Sequence, residues 1–251
     1  MRNRPYRDHR GVAKYRHEVL AAILRVNERL EVLATPRSRD PFVRQWALIG
    51  GPVEVDETME QAIARHMTGQ LGGARPVHVE QVSTVSDPAR DPFERTIATA
   101  YLALTPPDGL PEMVGNSWLP VDDLPNMAFD HAQIVSAAAR RLRSKTSYTN
   151  IVYALAPEEF TMARLRAIYQ AVLGHEVDVT NLGRVLRRRG QIEKTGDVAA
   201  PGERGAPSRR ASAGTTVQPA VSWGSSRSQE PAAVAWSATS SRRGPSGPTH
   251  R

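Results

Sequence analysis

Apolar residues in the first half of the chain recur at two spacings. Val19–Val26 is a strand-length apolar run, Asn27-Glu28-Arg29 has turn character, and Leu30–Ala34 returns as a second strand. Trp46–Ile49 is a short apolar piece stopped by Gly50-Gly51. From Asp56 to Leu71 the spacing becomes helical, with Met59, Ile63 and Met67 at i, i+4 and i+8 and Ala62 beside them. Asp56 is the expected N-cap, and Gly72-Gly73 the expected stop, because glycine tolerates left-handed backbone. Strands are expected again over Val77–Val85, over Thr96–Leu104 and at Trp118-Leu119. A second helix is expected over Phe129–Leu142, where Ile134, Val135, Ala138, Ala139 and Leu142 are apolar; Asp130 would cap it, with His131 alongside. Strands, a helix, strands and a helix in that order predict an α+β class or an α/β/α sandwich.

The helical spacing then appears twice more. Phe160–Gly174 carries the stripe Leu165, Ile168, Tyr169 and Val172, with Thr161 as N-cap and Gly174 as stop. After the short turn His175–Val177, Asp178–Gly190 forms a second helix with Leu182, Val185 and Leu186 facing inward. Thr180, Asn181, Arg184, Arg187 and Arg188 lie on its other faces, and Gln191–Gly196 has the form of a wing. Two helices joined by a tight turn, the second one basic, fit major-groove docking. Arg187, Arg188 and Arg189 would neutralise phosphates. Thr180 and Asn181 at the helix start would reach bases or phosphates, and Arg184 would read guanine. The competing reading is a basic helical appendage whose arginines are only solvated.

Charge divides the chain in the same way. The whole sequence of 251 residues has a net charge of +7, but residues 1–139 hold 15 Lys and Arg against 18 Asp and Glu. Residues 140–196 hold 11 against 5, and residues 197–251 hold 7 against 3. An acidic first half and a basic second half imply two tasks on one chain. There is no cysteine, which removes disulfides, thiol nucleophiles and thiolate metal sites and fits a reducing cytoplasm. No apolar run approaches the length of a membrane span, so no membrane association is expected. From Ala200 to Arg251 there is no Leu, Ile, Phe, Met or Tyr, and such a segment is expected to be a disordered basic tail.

One stretch carries a resemblance. Gly51-x5-Glu57-x7-Arg65, entered through Trp46-Ala-Leu-Ile-Gly-Gly51, resembles the opening of a Nudix box. In that motif a glycine loop approaches a pyrophosphate, and the following helix aims carboxylates at Mg²⁺. Where the family pattern has three glutamates after the arginine, this chain has His66, Gly69 and Gln70. Glycine offers no ligand, glutamine no charge, and imidazole suits a hard cation poorly. Val82–Arg90, Ala100–Leu104, Trp118–Pro125 and Ala128–His131 then follow in an order that resembles the Nudix-related regulators of NAD metabolism, the NrtR-type repressors. The resemblance runs from about residue 15 to about residue 196.

The resemblance implies a Nudix-like α/β/α sandwich over residues 15–143, preceded by an arm over 1–14, with a winged helix-turn-helix over 144–199 and a tail over 200–251. It implies a DNA-binding repressor of NAD biosynthesis genes, a homodimer on double-stranded operator DNA, whose Nudix domain senses ADP-ribose or a related nucleotide. No catalysis, metal or cofactor is expected. By the family pattern, Arg37, Arg44, Trp46, Gly51 and Arg65 would bind the nucleotide, and Thr161, Thr180, Asn181, Arg184, Arg187 and Arg188 the DNA. For individual residues the structural alternative stays open: Trp46 as core, and Arg65 paired with Glu57 or Glu54. For the whole chain the alternatives are an active Nudix hydrolase of ADP-ribose-like nucleotides with a basic appendage, and a nucleotide-binding module that does not bind DNA. In the family the second helix of the DNA-binding segment carries Phe-Arg where Leu182-Gly183 stands here, which loosens that helix.

Overall fold

Strand β1 (Arg16–Val26) is the axis of the molecule, in a computed structural model that describes residues 7–194 and 207–210. On one edge β1 pairs in parallel with β6 (Thr96–Leu104), from Arg16 opposite Thr96 to Leu24 opposite Leu104. Its other edge is shared by two antiparallel partners: β2 (Leu30–Pro36) holds the C-terminal end, and β4 (Ile49–Pro52) the N-terminal end. β3 (Trp46–Ala47) and β7 (Ser117–Pro120) extend β2, and β5 (His78–Val85) pairs antiparallel with β6. The result is a seven-stranded mixed sheet. Gly50 makes the close β4 approach possible, since a Cβ there would lie 2.0 Å from the Val19 carbonyl oxygen.

Side chains alternate across a strand, so β1 serves two cores. Val19, Ala21 and Ile23 face α1 (Met59–Gln70), which lays Ala62, Ile63 and Met67 against them. Leu20, Ala22, Leu24 and Val26 face the other way, toward α2 (His131–Thr146) with Ile134, Val135, Ala138 and Leu142. One helix on each face of the sheet is the α/β/α sandwich expected from the sequence. Two caps differ from expectation. The N-cap of α1 is Thr58, not Asp56: Thr58 accepts from Gln61 N and the Gln61 side chain accepts from Thr58 N, a reciprocal capping box. Asp130 stands at the N-cap position of α2 but makes no capping bond, because its carboxylate holds Arg90.

The second core does not stop at the sandwich. A buried 3-10 turn, Ile151–Leu155, follows α2 and is apolar at every position, too short for any periodicity to announce it. Next come β8 (Glu159–Thr161), α3 (Met162–Leu173), α4 (Val179–Arg188), β9 (Ile192–Lys194) and β10 (Pro207–Arg210). The last strand lies between β8 and β9 in a three-stranded sheet. That element falls inside the stretch read from composition as tail, so the wing extends past residue 199. The rest of the tail, with residues 1–6 and 195–206, lies outside the described residues. Leu165, Ile168 and Val172 of α3 and Leu186 of α4 belong to the same apolar cluster as Leu20–Val26. Polar ties reinforce that seam: the Arg164 guanidinium donates to the carbonyls of Val26 (2.9 Å) and Asn27 (2.8 Å), and Arg143 Nε to that of Val172 (2.8 Å).

Glu80 on β5 fastens α2 to the sheet. Its buried carboxylate accepts from Arg141 Nε at 2.9 Å, from the Lys145 ammonium, and lies 3.0 Å from His78 Nε2. Burial alone would raise its pKa, but the His78, Lys145 and Arg141 hydrogen bonds outweigh burial and bring it down to about 2 from 4.5. A depressed carboxylate stabilises the fold above its unfolded pKa and loses that contribution as pH falls toward the folded value. Glu80→Gln is therefore expected to lower stability by about 3 kcal/mol at neutral pH. It should also remove part of the wild-type decline below about pH 4.5. Urea unfolding at pH 7 and pH 4 measures both effects.

Candidate functional site

A cavity of about 360 Å³ opens where β1, β4 and three loops meet. The start of β1 contributes Arg16, Glu18 and Leu20. The segment after β2 contributes Arg37, Arg39, Asp40 and Pro41, and the β3–β4 stretch contributes Ala47, Leu48, Gly50 and Gly51. Asp91, Phe93 and Glu94 come from the loop between β5 and β6, and Phe129 and His131 from the entry to α2. Arg16 is committed to carboxylates, 2.9 Å from Glu18 and 3.1 Å from Glu94. Arg37 and Arg39 form no salt bridge among the described residues, and burial and the neighbouring Arg39 both lower the Arg37 pKa. Arg37 Nε donates to the Pro41 carbonyl at 2.8 Å, and Glu18 and Asp91 act on the same guanidinium from across the cavity, so the two arginines offer donors to an anion in a lining of mixed charge.

Aromatic rings stand next to these cations. The Phe129 ring packs edge-on against Phe42 at 4.9 Å, and the Arg37 guanidinium lies 4.7 Å from its centroid. His131 follows at 5.6 Å from Phe129. Its Nδ1 accepts from Leu48 N at 3.0 Å, which places the proton of the neutral ring on Nε2. Burial pushes its pKa down to about 3, so the ring stays uncharged at physiological pH.

Of the five residues expected to hold a nucleotide, the structure brings Arg37 and Gly51 to the cavity; Arg44, Trp46 and Arg65 do not line it. Trp46 is in β3 opposite Pro36, and Arg44 is a turn residue with φ 67° whose amide donates to the Arg37 carbonyl. Arg65 takes the structural alternative. Its Nε donates to Glu57 at 2.9 Å, its Nη2 to the same carboxylate and to the Pro52 carbonyl at 3.1 Å. The Arg65 hydrogen bond draws the Glu57 pKa down to about 2. Sequence reasoning missed Phe129, His131, Arg39 and the Asp91–Glu94 loop. Only the Arg37-x-Arg39 pair and the Asp130-His131 step before a helix offered a signal.

The residues at the box positions make a different set of contacts. His66 Nε2 lies 2.9 Å from the Pro52 carbonyl oxygen, and Gln70 Nε2 donates to the Gly50 carbonyl at 3.1 Å. A Cβ on Gly51 would meet the His66 ring at 2.5 Å, so glycine here admits that ring. Gly69 faces open space. These side chains bind β4 carbonyls and present no oxyanion to a cation. Among the described residues no group of three or more His, Asp or Glu side chains could hold a metal ion. His66, Gly69 and Gln70 therefore offer no carboxylate to the hard Mg²⁺ cation that a Nudix box ordinarily holds.

A second surface lies on α4. Asp178 caps the helix by accepting from Asn181 N, and Thr180, Asn181, Arg184, Arg187 and Arg188 are exposed. Arg184 donates to Asn181 Oδ1 at 2.9 Å. Thr161 differs from these: it is 4% exposed, and its hydroxyl accepts from Arg164 N as the cap of α3, so its side chain is directed inward. The tight turn is fixed by Gly174 at φ 76° and by Arg166, which donates to Val177 O and pairs with Glu176. Gly183 is buried where α4 nears α3, its missing Cβ 3.4 Å from Met162 Cε.

Comparison with known proteins fits this division. Residues 15–138 match the NUDIX domain model, and residues 152–209 match that of the NrtR DNA-binding winged helix domain. The ADPR-responsive transcriptional repressor NtrR of Acinetobacter baylyi is 29% identical over 191 residues, covering 73% of this chain and 76% of that protein. The crystal structure of Shewanella oneidensis NrtR complexed with a 27mer DNA superposes with a TM-score of 0.70 at 26% identity, covering 77% of this chain and 92% of that one. The ADP-ribose pyrophosphatase of Methanocaldococcus jannaschii is 29% identical over 135 residues, or 50% of this chain and 78% of that enzyme.

The environment of His131 has a direct spectroscopic consequence. Its depressed pKa means that the folded protein gains no proton there while the unfolded chain does so near 6.5, so this contribution to stability fades as pH falls below 6.5. In NMR spectra of the folded protein the His131 ring resonances should stay constant from pH 8 to about pH 4.5. A titration midpoint near 6.5 would show that the ring is open to water.

Proposed function

Because this chain joins a NUDIX domain to an NrtR DNA-binding winged helix domain and is homologous to the NrtR repressors, we propose that it is a nucleotide-responsive transcriptional repressor. In this reading the NUDIX domain holds ADP-ribose or a related nucleoside diphosphate without cleaving it. Arg37 and Arg39 take the diphosphate, Phe129 or Phe93 an apolar ring face, and carboxylates such as Glu18 and Asp91 the ribose hydroxyls. Arg187 and Arg188 bind operator phosphates, with Thr180, Asn181 and Arg184 toward the bases. The sensor spans residues 15–143 and the DNA-binding part begins after it. Two copies present two recognition helices about 34–36 Å apart, and the regulated genes belong to NAD metabolism.

The observation that carries the non-hydrolytic part is the use of His66 and Gln70 as partners of the Pro52 and Gly50 carbonyls. Metal-assisted attack on a pyrophosphate needs carboxylates converging on a cation. Here the helix that would supply them binds its own sheet instead. The similarity to an ADP-ribose pyrophosphatase gives the rival reading its one support. Incubation of the protein with ADP-ribose and Mg²⁺ is expected to release no AMP, and turnover at enzymatic rates would replace the repressor reading with the hydrolase.

Titration of ADP-ribose into operator-bound protein is expected to change DNA affinity, and an affinity constant across the titration would remove the sensor. The double variant Arg187→Ala, Arg188→Ala should lower the salt dependence of operator binding by about 2 in log–log slope, since each phosphate contact releases roughly one counterion. An unchanged slope would place both arginines off the DNA.

A further inference from the structure

Resting on the nucleotide-binding reading of the cavity, we propose that Arg90 is its positioning residue: the buried Arg90–Asp130 ion pair sets two walls of the cavity against each other. Neither member of the pair lines the cavity itself.

The ten residues between Val85 and Thr96 have no helix or strand. Short-range bonds shape them, with Ala89 N donating to Asp87, Phe93 N to Asp91, and the Thr96 hydroxyl to Asp91. None of those bonds places the loop against the opposite wall. Arg90 does: Nε donates to Asp130 Oδ2 at 2.9 Å, and Nη2 to Oδ1 at 2.8 Å, across 40 residues of sequence. The Arg90 side chain is 2% exposed and that of Asp130 13%. A two-pronged contact between planar groups fixes orientation as well as distance.

What stands beside each partner is the second observation. Asp91, Phe93 and Glu94 follow Arg90 and line one wall, while Phe129 and His131 flank Asp130 and line the other. Phe129 holds a left-handed backbone (φ 52°) that any displacement of Asp130 would disturb. Asp130 also forgoes the helix cap its position offers, and burying the pair costs desolvation. A loop that needed only stability would be better served by an apolar anchor and a capping aspartate.

The test uses the full-length protein and Arg90→Lys, which keeps the charge but not the planar two-pronged contact. Asp130→Asn, which keeps the shape and one acceptor, is the companion in case the lysine variant fails to fold. Two readouts are taken: ADP-ribose affinity by calorimetry, and amide exchange by mass spectrometry. Exchange is expected to rise in residues 86–95 and 128–131 while α1, α3 and α4 stay at wild-type levels; a purely structural pair would raise it throughout. ADP-ribose affinity is expected to fall about tenfold, with operator affinity in the absence of nucleotide unchanged. Wild-type exchange in both segments, or wild-type ADP-ribose affinity despite faster exchange, would overturn the proposal. If the wild-type protein itself does not bind ADP-ribose, the sensor reading falls, and the exchange pattern alone decides whether Arg90 sets the two walls.

Discussion

The alternation of β1 is the constraint from which the rest follows. Its odd residues Val19, Ala21 and Ile23 are committed to α1, and its even residues Leu20–Val26 to α2, α3 and α4. A slip of one residue would exchange the two sets, so its register against β6 and β4 must be unique. The same strand begins at the cavity, with Arg16 and Glu18, and ends at the hairpin held by Arg164 of the winged-helix half. Cavity and winged helix are therefore two ends of one hydrogen-bonded member. The joint between them is made of packed apolar side chains and the Arg164 hydrogen bonds.

The α1 helix shows how residues at the box positions can be used within the fold itself. The glycine turn, Glu57 and Arg65 of the box remain, and they work as structure: Arg65 bridges Glu57 and the Pro52 carbonyl. His66 and Gln70 secure the neighbouring β4 carbonyls. Each replacement trades an acidic group that needs a cation nearby for a partner that a sheet edge can satisfy by itself.

Much of the architecture was legible in the sequence because its signals are local. The long strands, the two sandwich helices, the helix-turn-helix with its Thr161 and Gly174 ends, and the outward arginines follow from spacing and capping chemistry, whereas Gly50-Gly51, expected to end a strand, lie within β4, and Phe160-Thr161, expected in a helix, lie in β8. What was illegible depends on partners distant in sequence. Asp130 was expected as a cap because nothing beside it announces Arg90. Asp56 lost the α1 cap to Thr58 because Gln61 completes a reciprocal pair. The 3-10 turn Ile151–Leu155 is too short to show a period, and β10 is a strand only because β8 and β9 flank it. At the cavity, family pattern indicated Arg37 and Gly51, which line it, and Arg44, Trp46 and Arg65, which do not, while Asp91, Phe93, Glu94 and Phe129 are loop residues whose neighbours only the fold decides.

The apolar cluster that runs from Leu20 through Tyr153 to Leu186 has an evolutionary consequence. Modules joined by a polar tether can be shuffled by recombination, each carrying a finished surface to its new host. Here a transplanted winged helix would arrive with its seam bare, and the abandoned sandwich would show an oily scar. A substitution on one side of the joint therefore meets the packing of the other, and the two halves fit each other as a matched pair.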